Sequence, residues 1–263
     1  MPHECLSVPV CSMSTDCDGL AGDGNMDWYG GMPFNRCGPI RYNSSDGKLY
    51  TRLESPDAGD RILVIIMQAD LGVDENAAML NETNMAGVGR WWVTRVISST
   101  LVNTESRLEV TEPITETQLF MGARAQFCTV PEYGALTLYD DITPAQAWDG
   151  ERGGVVAVMA ESIYLNGHDI HADAAGFRGG QGGSPNVACG EPQNPGEGIT
   201  TYPPAPVPST SAETLGGGGG TYGNGGGGGG GHGTPGGAGG EAQCGPGITS
   251  EGGVFASPAD ERL

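Results

Sequence analysis

Residues 216–220 and 225–231 are uninterrupted glycine, and no other feature of this chain limits its fold so tightly. A run without side chains buries nothing, and glycine gives up more backbone freedom on ordering than any other residue. Such runs read either as a flexible spacer or as extended polyglycine helices, whose backbones pack closely because no Cβ intervenes. The glycine belongs to a wider Gly-, Pro- and Ser-rich region, residues 176–263, which includes the proline-rich stretch 202–208. Any packed core has to come from upstream.

Upstream, the pattern is β. Residues 61–68 read as a buried strand around the longest apolar run, 62–67, which is too short for the roughly 20 apolar residues of a membrane span. After a polar loop over 69–89, in which 74–80 could form a short helix, residues 91–96 and 106–110 carry β-branched and aromatic side chains between turn formers. These segments, over 57–112, suggest a small β barrel or roll. Residues 118–130, 135–139, 154–159, 162–165 and 169–172 continue as short strands. Asn166-Gly167 between two of them is a strong hairpin signal. Short strands with a turn every ten residues or so suggest a sandwich or solenoid. Residues 1–56 are rich in Cys and Asp and read as irregular. The expected organisation is therefore all-β: an irregular segment 1–56, a β-rich domain 57–175 (barrel or roll, then sandwich- or solenoid-like strands), and a largely irregular or polyglycine-helical region 176–263.

Charge and cysteine bound the function. With 32 acidic against 12 basic residues the net charge is −20, which repels phosphate backbones and anionic headgroups, so nucleic acid is excluded as the expected partner. Of the seven cysteines, Cys5, Cys11, Cys17 and Cys37 crowd the first 37 residues, while Cys128, Cys189 and Cys244 are scattered. The crowding reads as a small disulfide-stapled module in an oxidising compartment, and no CxxC pair supports a zinc ribbon or thioredoxin-type site. The secreted reading expects a leader that these residues do not display.

Few constellations carry chemistry. Asp16, Asp18, Asp23, Asn25 and Asp27 place oxygens at alternate positions of an acidic loop. A D-x-N-x-D segment of this kind can offer several oxygen ligands to Ca²⁺. It is not an EF-hand, because Trp28 and Phe34 stand where the bend glycine and the bidentate glutamate would be. Asp140, Asp141, Asp149 and Glu151 could supply the two carboxylates of a glycosidase. Asp169, His171 and Asp173 would share one face of a strand, suitable for a metal or an acid–base pair. Trp91 and Trp92 point to opposite faces of their strand, one toward the core and the other available as a sugar-stacking platform. No phosphate-loop, G-x-S-x-G or HExxH motif occurs, and no catalytic residue is assigned.

Trp148-Asp149-Gly150, Gly153-Gly154-Val155-Val156, Asn166-Gly167, Ile170 and Gly176-Phe177-Arg178-Gly179-Gly180 together resemble a WDG…GGV…NG.I.A.G.GFRGG segment of secreted bacterial glycine-rich surface proteins. The glycine-rich phrase 219–223 is also similar to those in the ectodomains of anaplastic-lymphoma-kinase-type receptors. The bacterial resemblance implies an exported surface or matrix protein with glycine as a structural element, and implies no reaction. The expected function is thus a non-catalytic secreted or cell-surface structural or adhesive protein. Its partners would be extracellular matrix, a glycan or another surface protein. A polysaccharide-degrading β enzyme and a Ca²⁺-dependent adhesion module are the alternatives.

Overall fold

A computed structural model describes residues 24–70, 87–114, 123–178, 197 and 200–201. The candidate helix over 74–80, the residues Cys5, Cys11, Cys17, Asp16, Asp18 and Asp23, and both glycine runs lie outside them. The described residues are all-β, with no helix, and form two sheets.

The larger sheet contains β2 (Cys37–Asn43), β3 (Lys48–Thr51), β4 (Arg61–Asp70), β5 (Trp91–Val102), β6 (Glu105–Val110) and β7 (Arg124–Thr129). Its antiparallel pairings run β4-β5-β6-β3-β2-β7 and return from β7 to β4, so six strands close on themselves and leave no open edge between them. β10 (Thr200–Thr201) adds parallel to the far end of β4.

The apolar run of β4 resolves into strand alternation. Ile62, Val64 and Ile66 are wholly buried, whereas Leu63, Ile65 and Met67 are half-buried on the other face. The first set packs with Ile40, Leu49, Val96, Leu108, Ile114, Ala125 and Phe127 into one apolar cluster.

The smaller sheet is parallel: β1 (Asn25–Trp28), β8 (Glu132–Leu138) and β9 (Met159–Tyr164), in the order β1-β8-β9. Trp28, Phe34, Leu136, Leu138 and Ile142 form its core. Two buried amides attach the β8–β9 connection to the barrel. Asn35 Nδ2 donates to the carbonyls of Thr129 (2.7 Å) and Ala157 (2.6 Å), and its Oδ1 accepts from Ala157 N at 3.1 Å. Gln126 pairs in the same way with Gly153. Full pairing is what allows these amides to be buried.

Four expectations need correction. Residues 25–51, expected to be irregular, hold three strands. Pro39 and Gly38 disguise β2, yet Gly38 is there because a Cβ would lie 2.7 Å from the Phe127 ring; the glycine serves core packing and not a turn. Cys37 does not belong to a local staple: it is bonded to Cys128, its direct cross-strand partner, with a Cα–Cα distance of 4.1 Å. Two stretches expected as strands fall short: 154–159 is strand only at Met159, where β9 begins, and 169–172 reduces to a single bridge between Ile170 and Ile142. The latter segment pairs with a loop and not with a regular strand, so the ladder cannot extend.

The Asn166-Gly167 turn is present, with φ of +51° and +85°, the left-handed pair that a type I′ turn requires. His168 N closes it onto Leu165 O at 2.8 Å. Among the described residues no helix is long and apolar enough to cross a membrane.

Candidate functional site

The parallel sheet delivers β1 and β8 side by side, and both chains leave it at the same end. Tyr139 N donates to Trp28 O at 2.8 Å, which fixes the residues just beyond the two strands next to each other. Tyr29 and Tyr139 follow, with ring centroids 4.8 Å apart and planes within 6°. They are 68% and 47% exposed, so this stack sits in solvent and is not part of a core.

Asp140 and Asp141 follow directly. Asp140 Oδ1 accepts from Asp141 N at 2.9 Å, and its other oxygen lies where a Cβ on Gly30 would be. Gly30, at φ +72°, therefore leaves room for the carboxylate beside the tyrosines. Asp141 Oδ1 accepts from Asp169 N at 2.9 Å and lies 3.3 Å from His168 Nδ1. The Asp169 hydrogen bond, with His168 and His171 adding to it against the effect of burial, holds the Asp141 carboxyl below the usual range.

The other candidate carboxylates lie elsewhere, in the turn at Trp148-Asp149-Gly150. Asp149 is consumed by its own loop. Its Oδ1 accepts from Glu151 N at 2.8 Å and Arg152 N at 2.9 Å, and its Oδ2 accepts from Gln146 Nε2 at 3.0 Å. Burial pushes its pKa up, but the bonds from Arg152, Glu151 and Gln146, with the Arg152 charge, hold it below the usual range. Glu151 pairs with Arg52. A glycosidase acid needs a raised pKa. Asp141 and Asp149 are both shifted the opposite way, and they serve separate turns.

His171 Nδ1 lies 3.4 Å from Asp173 Oδ2, outside hydrogen-bond geometry, and Asp173 is almost fully exposed. Of the proposed Ca²⁺ ligands, Asp16, Asp18 and Asp23 lie outside the described residues. Asn25 and Asp27 are on β1 with exposed side chains, and Asn25 Oδ1 accepts from Ala135 N at 3.1 Å. Among the described residues no group of three His, Cys, Asp or Glu is placed to hold a metal ion. Trp92 packs against the barrel core, whereas Trp91 is 60% exposed opposite Ile65.

The tyrosine stack escapes sequence reasoning because 110 residues separate its members and neither belongs to a motif. The residues of the WDG…GFRGG pattern instead converge on packing. Trp148 meets Phe177 edge-on at 5.5 Å, and its backbone N–H donates to Ala175 O at 2.8 Å. Comparison with protein-family models, curated proteins and solved structures finds no match for this chain.

Proposed function

We propose that this is a non-catalytic adhesive protein of an extracellular or bacterial cell surface, and that it holds a glycan at the Tyr29–Tyr139 platform. The observation that carries the reading is the exposed, face-to-face tyrosine stack beside Asp140 and Asp141, whose outer ring face is open to a sugar. The apolar face of a sugar ring packs on an aromatic face. Carboxylates that are not neutralised by arginine accept hydrogen bonds from hydroxyls. The Cys37–Cys128 disulfide supports an oxidising compartment. Glycine-rich residues 176–263 would then act as spacer or packed filler between the β domain and the surface.

The test is retention on a panel of immobilised neutral polysaccharides, with soluble products scored for new chain ends. Retention is expected, with loss on Tyr139→Ala and little change on Trp91→Ala. New chain ends that vanish on Asp141→Asn would overturn the non-catalytic reading in favour of a polysaccharide-degrading enzyme. Retention lost on Trp91→Ala and kept on Tyr139→Ala would move the platform to the barrel. Retention that requires added Ca²⁺ would favour the Ca²⁺-dependent adhesion module.

A further inference from the structure

A second concave surface lies on the barrel, where β2 and β7 part after the Ile40–Ala125 pair. It is a cleft of about 570 Å³, within the size range of small-ligand sites. Arg41 comes to it from β2, Arg52 from just after β3, Arg124 from β7 and Arg178 from the segment beyond β9. Four guanidinium groups in one cleft are a third of the 12 basic residues of a chain whose net charge is −20. They come from four separate segments, and Glu105, Asp149 and Glu151 line the same cleft.

Three of the four are already on carboxylates of this chain. Arg41 forks onto both oxygens of Glu105, Arg52 takes Glu151, and Arg178 takes Glu197. The Arg41 guanidinium also lies 4.7 Å from the centroid of the Tyr50 ring, a cation–π contact. These guanidiniums are about half exposed or more, so their ion pairs are weakly held and exchangeable.

Arg124 differs. Its Nη1 donates to Gly150 O at 3.0 Å and to Gln68 Oε1 at 3.3 Å, which orients the guanidinium, but among the described residues it has no carboxylate partner. Gly150, at φ +105°, lets the arms close in: a Cβ there would lie 3.0 Å from Arg178 Nη2.

We infer that this cleft binds a carboxylate-bearing ligand, seated on Arg124 and flanked by Arg41, Arg52 and Arg178. The planar guanidinium fork matches a carboxylate with two parallel hydrogen bonds, and Arg41 already shows that fit with Glu105. Arg124 is the oriented arginine without such a partner among the described residues. The inference is independent of the tyrosine platform, which Asp140 and Asp141 fit for hydroxyls and not for anions.

The test is calorimetric titration of the full chain with trigalacturonate, alongside the neutral galactose trimer and inorganic phosphate. Trigalacturonate is expected to bind, more weakly as salt is raised, and the neutral trimer is not. Arg124→Gln should weaken binding tenfold or more with an unchanged Tm. Glu105→Gln, which removes the competitor for Arg41, should tighten it several-fold. Tyr139→Ala should leave it unchanged, so that failure here and failure of the platform are told apart. The assignment is overturned by no uptake at millimolar trigalacturonate, by equal binding of the neutral trimer or phosphate, or by indifference to Arg124→Gln.

Discussion

Gln126 and Gly153 exchange two hydrogen bonds: Gly153 N donates to Gln126 Oε1 at 2.7 Å, and Gln126 Nε2 donates to Gly153 O at 2.9 Å. The glutamine amide, wholly buried on the outer side of β7, takes the place of a peptide group and pairs with the loop as a strand would. Through it the β8–β9 connection, with Asp149 and Gly150, is set against the barrel wall. Gln126→Leu would keep the bulk and leave the N–H and C=O of Gly153 without partners. The expected loss is about 2–6 kcal/mol, since each of the two buried orphans costs roughly 1–3 kcal/mol. Urea unfolding measures it, and an unchanged midpoint would mean that the loop is held by other contacts.

Cys37 and Cys128 lie 91 residues apart in sequence and side by side in the ladder. A loop of that length gives the bond about 4–5 kcal/mol in the chain-entropy account. The Cys37→Ala/Cys128→Ala variant should lose stability on that scale, with a steeper denaturant slope from a more open unfolded chain. A non-reduced digest should contain the peptide pair joined through these two residues. Finding Cys37 bonded to Cys5, Cys11 or Cys17 instead would contradict this pairing.

Gly154 has φ +72°, and a Cβ there would stand 2.6 Å from Ala175 O. Gly154→Ala combines left-handed strain of about 1–3 kcal/mol with a backbone clash that cannot swing aside. It should destabilise by about 2 kcal/mol or more. The Trp148–Phe177 contact, which the same turn holds, should loosen with it, visible as a shift in tryptophan fluorescence. A variant as stable as the parent would show that the turn relaxes freely.

Asp141 is held below the ordinary carboxylate range, chiefly by the N–H of Asp169 and further by His168. Because its folded pKa is depressed, its contribution to stability is present above the unfolded value of about 4 and disappears as pH falls through the folded value. Asp141→Asn should therefore melt lower than the parent at neutral pH, with the gap closing in acid. Thermal melts from pH 7 to pH 2 check this; a gap that stays constant with pH would mean the carboxylate charge is not involved.

Trp91 and Trp92 should part company on truncation. Trp92 packs against the barrel core and Trp91 stands mostly in solvent. Trp92→Ala should cost on the order of 2 kcal/mol or more, and Trp91→Ala within about 0.5 kcal/mol. Equal losses would place both indoles in packed surroundings.

What the sequence determined by itself is local in range. The apolar run Ile62–Met67 marked β4. The β-branched runs marked β5 and β6, and Asn166-Gly167 marked a turn whose two positive φ angles only such residues tolerate cheaply. Each rests on a preference expressed within a few residues. Only the tertiary structure decided the rest. Pro39 and Gly38 hid β2, because its stability comes from Phe127 and Cys128 across the sheet and not from its own pattern. The return of β7 to β4 closes the barrel through pairing between distant segments. The candidate sites belong to that second class. Tyr29 meets Tyr139 because two parallel strands end together, and Arg41, Arg52, Arg124 and Arg178 meet because a closed ladder brings separate segments to one wall. Spacing along a chain records helix and strand periods; it does not record which strands will lie side by side.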